Sequence, residues 1–164
     1  MKRTDREITD IVEIESILNE SMVCRIGLAD GSEPYIIPVC FGYVPGIIYL
    51  HSSLSGKKIA ILEKNPKICF EVDQCDTIIQ NKVPCAWGMH YRSVIGFGKA
   101  SFIADNNEKK EGLNCILNHY GGGLHEFSDD EIRSVCVIRI DIDSMTGKKH
   151  DCGNAFLKIN RGYV

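Results

Sequence analysis

Apolar residues recur along this chain with two spacings, and the switches between them separate helices from strands. Ile11, Ile14, Ile17 and Leu18 share one helical face behind an Asp10–Glu13 capping-box pattern, predicting a short amphipathic helix that ends near Asn19. From Met22 to Leu28 the period falls to two; Asp30-Gly31 marks a hairpin turn, and a second strand-like run covers Tyr35 to Tyr43. Pro38 lies inside that run, where a missing N–H predicts an edge, a bulge or the approach of a ligand. Val44-Pro45-Gly46 turns the chain into a third strand, Ile47 to Leu50, and a helix from Lys57 to about Asn65 closes at Pro66. Ile68 to Val72 reads as a fourth strand, and Asp73 to Trp87 as mixed and loop-like. Tyr91 to Phe102, with Gly96 and Gly98, reads as a fifth. Asp105 and Glu108 open a helix carrying Leu113, Ile116, Leu117 and Tyr120 that ends at Gly121-Gly122-Gly123. A helical turn at Asp129 to Ile132 leads into a sixth strand, Ser134 to Ile142.

Tight turns join most of these strands, and helices do not alternate with them, which predicts a mainly β fold. The expected architecture is a six-stranded antiparallel barrel with peripheral helices, because a parallel sheet would need a crossover helix between most strands. The 164 residues fit a single domain, 1–164, with 145–164 as a polar, glycine-containing C-terminal extension.

Chemistry concentrates where the period changes, in Ile47 to Leu62. Between strand and helix stands HSSLSG, and a helix start reached through Ser and Gly offers free backbone N–H groups to an anion. Lys57 and Lys58 occupy the first helical turn, where the dipole disfavours a cation by roughly 0.3–1 kcal/mol each. A bound phosphate would reverse that sign; two solvated lysines on a surface turn are the alternative. The triphosphate-binding loop is excluded, since His51 stands where it requires Gly and Lys58 where it requires Ser or Thr.

Composition narrows the partners. A net charge of −3 gives no general reason to expect nucleic acid, so any anion site must be local. No apolar run approaches the ~20 residues of a membrane span, and MKRTDREITD has no signal-peptide core; a cytoplasmic protein without membrane contact is expected. The eight cysteines are then expected as thiols, Cys24 and Cys136 in phase with core strand positions. Cys69, Cys75, Cys85 and His90 lack zinc-ligand spacing, so no metal is expected. Cys75 and Cys85 are the loop thiols most open to reaction.

The segments PYIIPVCFGY, IIYLHSSLSGKK, KNPKICFEVD, YRSVIGFGKA and VIRIDIDSMTGKK, in this order across roughly residues 3 to 149, resemble one family. They are similar to the flavin-binding split-barrel proteins of the pyridoxamine-phosphate-oxidase-like superfamily, and most to the branch that includes nitroimidazole-resistance flavoproteins. The resemblance implies FMN as cofactor, with the backbone of Pro38, Val39 and Cys40 along the flavin ring. It implies His51 and Ser52 beside the ribityl chain and ring, and Ser55, Lys57 and Lys58 at the phosphate. Tyr91, Arg92 and Ser93 would open the strand whose beginning touches the cofactor, although Arg92 and Ser93 should face opposite sides of it. It further implies a homodimer with two FMN at the interface, with Trp87 either against the ring or buried structurally. The C-terminal stretch departs from the vitamin B6 oxidases, which place Trp and Arg there; residues 145–164 hold no Trp and only Arg161, which argues against that substrate. Phe156 and His150 remain candidates for a different substrate pocket.

In the nitroimidazole-resistance branch a histidine placed as in YLHSSLSGKK is the proposed active-site residue, so His51 is the candidate catalytic group, with a near-neutral imidazole suited to proton donation. The alternative is a His51 that only hydrogen-bonds phosphate or ribityl oxygens. The implied function is an FMN-dependent oxidoreductase passing electrons from NAD(P)H to a small electron-poor acceptor, nitroaromatic or quinone-like. A non-catalytic flavin- or haem-binding carrier or sensor is the alternative.

Overall fold

The computed structural model describes residues 4–150, so Phe156, Arg161 and most of the expected C-terminal extension lie outside the described residues. Among the described residues eight strands form one antiparallel sheet: β1 (Glu7–Ile8), β2 (Cys24–Asp30), β3 (Glu33–Val39), β4 (Phe41–Val44), β5 (Ile47–Ser52), β6 (Lys67–Ile79), β7 (Gly88–Phe102) and β8 (Cys136–His150). Their order is β3-β2-β6-β7-β8-β5-β4, with β1 added against β8. The terminal strands of that path, β3 and β4, are consecutive in the chain and separated only by Cys40, so the sheet is drawn round on itself.

The helices α1 (Ile11–Glu20), α2 (Lys57–Lys64), α3 (Asn106–His119) and α4 (Asp129–Arg133) lie at the periphery. The class is the expected one, a mainly β split barrel with outlying helices, with eight strands in place of six. None of the described helices is long and apolar enough to cross a membrane.

Alternation along the strands builds two cores. Ile48 and Leu50 of β5 and Ile138 and Ile140 of β8 face the barrel interior with Phe41, Phe70, Val72 and the buried side of α1. Tyr49 and Val137, their neighbours in sequence, point the other way and pack under α3 and α4 with Ile103, Leu113, Ile116 and Ile132. Gly42 of β4 lets α3 sit close, because a Cβ there would stand 2.6 Å from the backbone of Cys115 and Ile116.

The glycines of β7 also have packing causes. A Cβ at Gly96 would meet the Phe70 ring at 2.3 Å, and Gly98 lies at a register shift where β8 carries an extra residue, Asp143.

Several boundaries move from their sequence-predicted positions. Asp73 to Ile79 continues β6 instead of forming a loop, followed by a 3₁₀ turn at Pro84–Ala86, so Cys75 lies on a strand. Its polar residues have partners across the sheet: Arg25 bonds Glu71 and Asp73, and Arg92 donates to Gln74 at 2.6 Å. Residues 145–150, expected in the extension, complete β8. The run Tyr35 to Tyr43 is two strands that bend at Cys40. Asp10 caps α1 by accepting from Val12 N–H at 2.9 Å, without the reciprocal bond from Glu13. The full capping box belongs instead to Ser128 and Glu131 of α4.

Candidate functional site

Three segments of the predicted set meet at one corner of the sheet. β3 pairs only with β2 among the described residues, so Pro38 occupies an edge strand and costs the ladder nothing on its outer side. Phe41 pairs with Leu50, and one position further along stand Cys40 on one chain segment and His51 on the other. His51 shares the Tyr49 face of β5, pairs with Val137 through its backbone, and is exposed; its ring has no hydrogen bond or ion pair among the described residues. Ser52 pairs with Cys136 and is half-buried, and Val39 is half-buried beside exposed Pro38 and Cys40.

The turn that follows is shaped by Gly56. It is the N-cap of α2 with φ 134° and ψ 174°, a region restricted to glycine, and it has no side-chain cap bond. Open space surrounds its Cα, and Ser53 Oγ donates to Ser55 O at 2.7 Å to hold the loop. The first turn of α2 therefore presents uncapped N–H groups, contains no acidic residue, and carries Lys57 and Lys58.

The two lysines differ. Lys57 Nζ lies 3.6 Å from Glu33 Oε1 and 4.7 Å from the centre of the Tyr35 ring, whereas Lys58 is half-buried and burial pushes its pKa down. Lys58 acts on the Cys136 thiol, as does Lys109 of α3; burial outweighs both and holds that thiol above its ordinary value. Lys109 escaped sequence reasoning because it comes from another element, and its only signal was a second lysine pair, Lys109-Lys110, just after a helix N-cap.

Arg92 and Ser93 stand elsewhere on the chain. Arg92 pairs with Glu20 at 3.0 Å and Gln74, while Ser93 belongs to the other face of β7, as strand alternation requires. Ser93 is opposite Lys148 on β8 and His51 is opposite Val137. The intervening stretch of β8 corresponds to about 35 Å of strand contour. The corner at His51 and the start of β7 are therefore separate surfaces of one chain.

Two cavities open elsewhere. One of about 590 Å³ lies between α1, β4 and α3 and includes Asn19, Tyr43, Asn114, Asn118 and His119. Here Tyr43 donates to Glu15 at 2.9 Å, and burial together with that carboxylate raises the phenol to about 12. The other, of about 580 Å³, lies at the β6–β7 end and includes Arg6, Trp87, Met89, Tyr91 and His150. Trp87 is half-exposed rather than buried. Of the residues that the resemblance sets beside the flavin, Tyr91 and Trp87 line this second cavity, and Pro38 to Cys40, His51 to Lys58, Arg92 and Ser93 line neither. No group of three or more potential metal ligands gathers among the described residues.

The antiparallel barrel wound back through Cys40, with an uncapped serine–lysine helix start beside an edge strand, defines a split-barrel protein. The chain belongs to the pyridoxamine 5'-phosphate oxidase family, whose model matches residues 10–149. A candidate 5-nitroimidazole antibiotic resistance protein from Bacteroides thetaiotaomicron is 34% identical, with 87% of this chain and 85% of that chain covered and a TM-score of 0.79. The flavocytochrome Anf3 from Azotobacter vinelandii (22% identity, 92% and 72% covered) and an FAD and heme binding protein from Mycobacterium smegmatis (19%, 89% and 74%) both superpose with a TM-score of 0.82. These two speak for the fold. A search of curated proteins found no match.

Proposed function

We propose that this chain is an FMN-binding oxidoreductase that works as a homodimer, taking electrons from NAD(P)H and reducing a small electron-poor acceptor of nitroaromatic or quinone type. The observation that carries the reading is the junction of the Pro38–Cys40 edge, His51 and the Gly56-initiated helix at one corner. A phosphate suits that corner: it would accept from the free N–H groups of α2 and from the Ser55 hydroxyl, and its charge would answer Lys58 and Lys57. The ring would then lie along the unpaired β3 edge at Pro38, Val39 and Cys40, with the ribityl chain passing Ser52.

When bound, FMN would supply two-electron transfer between nicotinamide and acceptor. The exposed imidazole of His51 would donate the proton the acceptor requires, and no side-chain partner among the described residues competes for it. The nitroimidazole-resistance relative, at 34% identity, supports the acceptor class.

A second copy accounts for the separation along β8. If Ser93 touches the same flavin as His51, it comes from the partner. The outer sheet face is apolar enough to pair: Ile36 lies across Gly27 and Cys69 from Phe97, and Ile36, Ile95 and Phe97 are exposed. The spectrum of the purified protein tests the cofactor, flavin bands being expected; haem bands or no chromophore would refute FMN. Anaerobic mixing with NADH or NADPH then tests catalysis: rapid bleaching is expected, and a flavin that stays oxidised would leave only a binding module.

A further inference from the structure

The cavity at the β6–β7 end lies apart from the His51–Lys58 corner, and an indole, a phenol, an imidazole and an arginine are among the side chains that line it. Trp87 follows the 3₁₀ turn Pro84–Ala86, its backbone N–H donating to Pro84 O at 3.1 Å and its indole N–H to Asn81 O at 2.7 Å. Asn81 Oδ1 in turn accepts from Val83 N–H at 2.9 Å, so the loop beneath the indole is tied to itself. A half-exposed tryptophan pinned by its polar end keeps its faces apolar and available.

Met89 and Tyr91 alternate along β7 on the same side of the cavity, and Ile79 closes the β6 side. His150 Nδ1 donates to Met89 O at 3.1 Å, since a carbonyl only accepts; its Nε2 is then free to face a ligand. Arg6 brings a guanidinium to the lining, and among the described residues no carboxylate lines the cavity. Asp5, well exposed, lies 4.0 Å from the Arg6 guanidinium.

We propose that this cavity is the acceptor site, and that it takes a flat, electron-poor aromatic bearing a carboxylate, stacked on Trp87 and paired with Arg6. The assignment rests on the FMN reading, because Tyr91 and Met89 continue the Ser93 face of β7. A flavin held by one copy against the partner's Ser93 would therefore abut the partner's cavity. Arg6 comes from the opposite end of the chain from His150, and β1 brings them together by pairing Glu7 with Lys148.

Trp87 is the only tryptophan in the sequence, so its fluorescence reports this cavity alone. Titrating the FMN-loaded full-length protein with 4-nitrobenzoate should quench it saturably. Arg6→Ala should weaken that binding about tenfold, the value of a lost charge-assisted hydrogen bond. Nitrobenzene, lacking the carboxylate, should bind weakly and respond little to Arg6→Ala. In turnover with NADH, Arg6→Ala should raise KM for 4-nitrobenzoate and leave kcat near wild type. Quenching that rises linearly without saturation, or binding indifferent to Arg6→Ala, would overturn the proposal. Flavin absorbance recorded on the same samples separates the two readings. A protein that holds no FMN refutes the cofactor corner, while Trp87 quenching still decides whether the cavity binds.

Discussion

Lys57 and Lys58 are neighbours with opposite environments, and this difference makes the phosphate assignment testable one residue at a time. Lys57 already faces Glu33 and the Tyr35 ring, whereas Lys58 is half-buried near Cys136 with no acidic partner among the described residues. Lys58→Ala should therefore weaken FMN binding by about tenfold or more, and Lys57→Ala by less. Equal losses in the two variants, read by FMN titration, would contradict this ranking. Burial lowers the Lys58 pKa, and only the protonated ammonium answers a phosphate. Affinity should thus fall on the alkaline side at a lower pH than an ordinary lysine would give. Lys58→Arg, which stays charged, should flatten that decline, and an unchanged pH profile would remove Lys58 from the site. His51→Ala should retain FMN and lose turnover; undiminished turnover would take His51 out of the mechanism.

At the scale of elements, close approach through glycine holds the helices where the corner needs them. Gly42→Ala would drive a methyl into the α3 backbone at 2.6 Å and should destabilise the protein by about 3 kcal/mol in denaturant unfolding. Gly27→Ala, whose Cβ would meet Cys69 at ordinary contact distances of 3.5–3.7 Å, should cost less than about 1 kcal/mol. Equal costs would mean that the α3–β4 contact is not tight. Periodicity made α1, α3 and the Ile47–Ser52 strand legible, because each carries its own apolar face. The second half of β6 was not legible: Asp73, Gln74 and Cys75 read as a loop until Arg25 and Arg92, distant in sequence, are seen to face them. The bend at Cys40 was hidden for a similar reason, since Tyr35 to Tyr43 is continuously strand-like and only the change of partner strand divides it.

For the whole molecule, legibility followed sequence distance. His51 to Lys58 is one contiguous stretch whose composition already suggested an anion, whereas Arg92 and Ser93 entered only through family resemblance. The Arg6, Trp87 and His150 cavity joins residues too far apart for any sequence window. The placement of His51 and Ser93 at opposite ends of β8 turns a shared flavin into a question of assembly. Ile36→Glu with Phe97→Glu, both exposed in the single chain, should convert a dimer to monomer in sedimentation and release FMN at the same time. A monomeric variant that keeps its flavin would show that one chain suffices.

The phosphate corner is tested most directly by titrating flavin-free protein with FMN and, in parallel, with riboflavin, which has the same ring and no phosphate. The expected result is one FMN per chain, riboflavin at least about tenfold weaker, and a gap that closes when Lys57 and Lys58 are both replaced by alanine. Equal affinity for the two ligands in the wild-type protein, or no flavin bound at all, would contradict it.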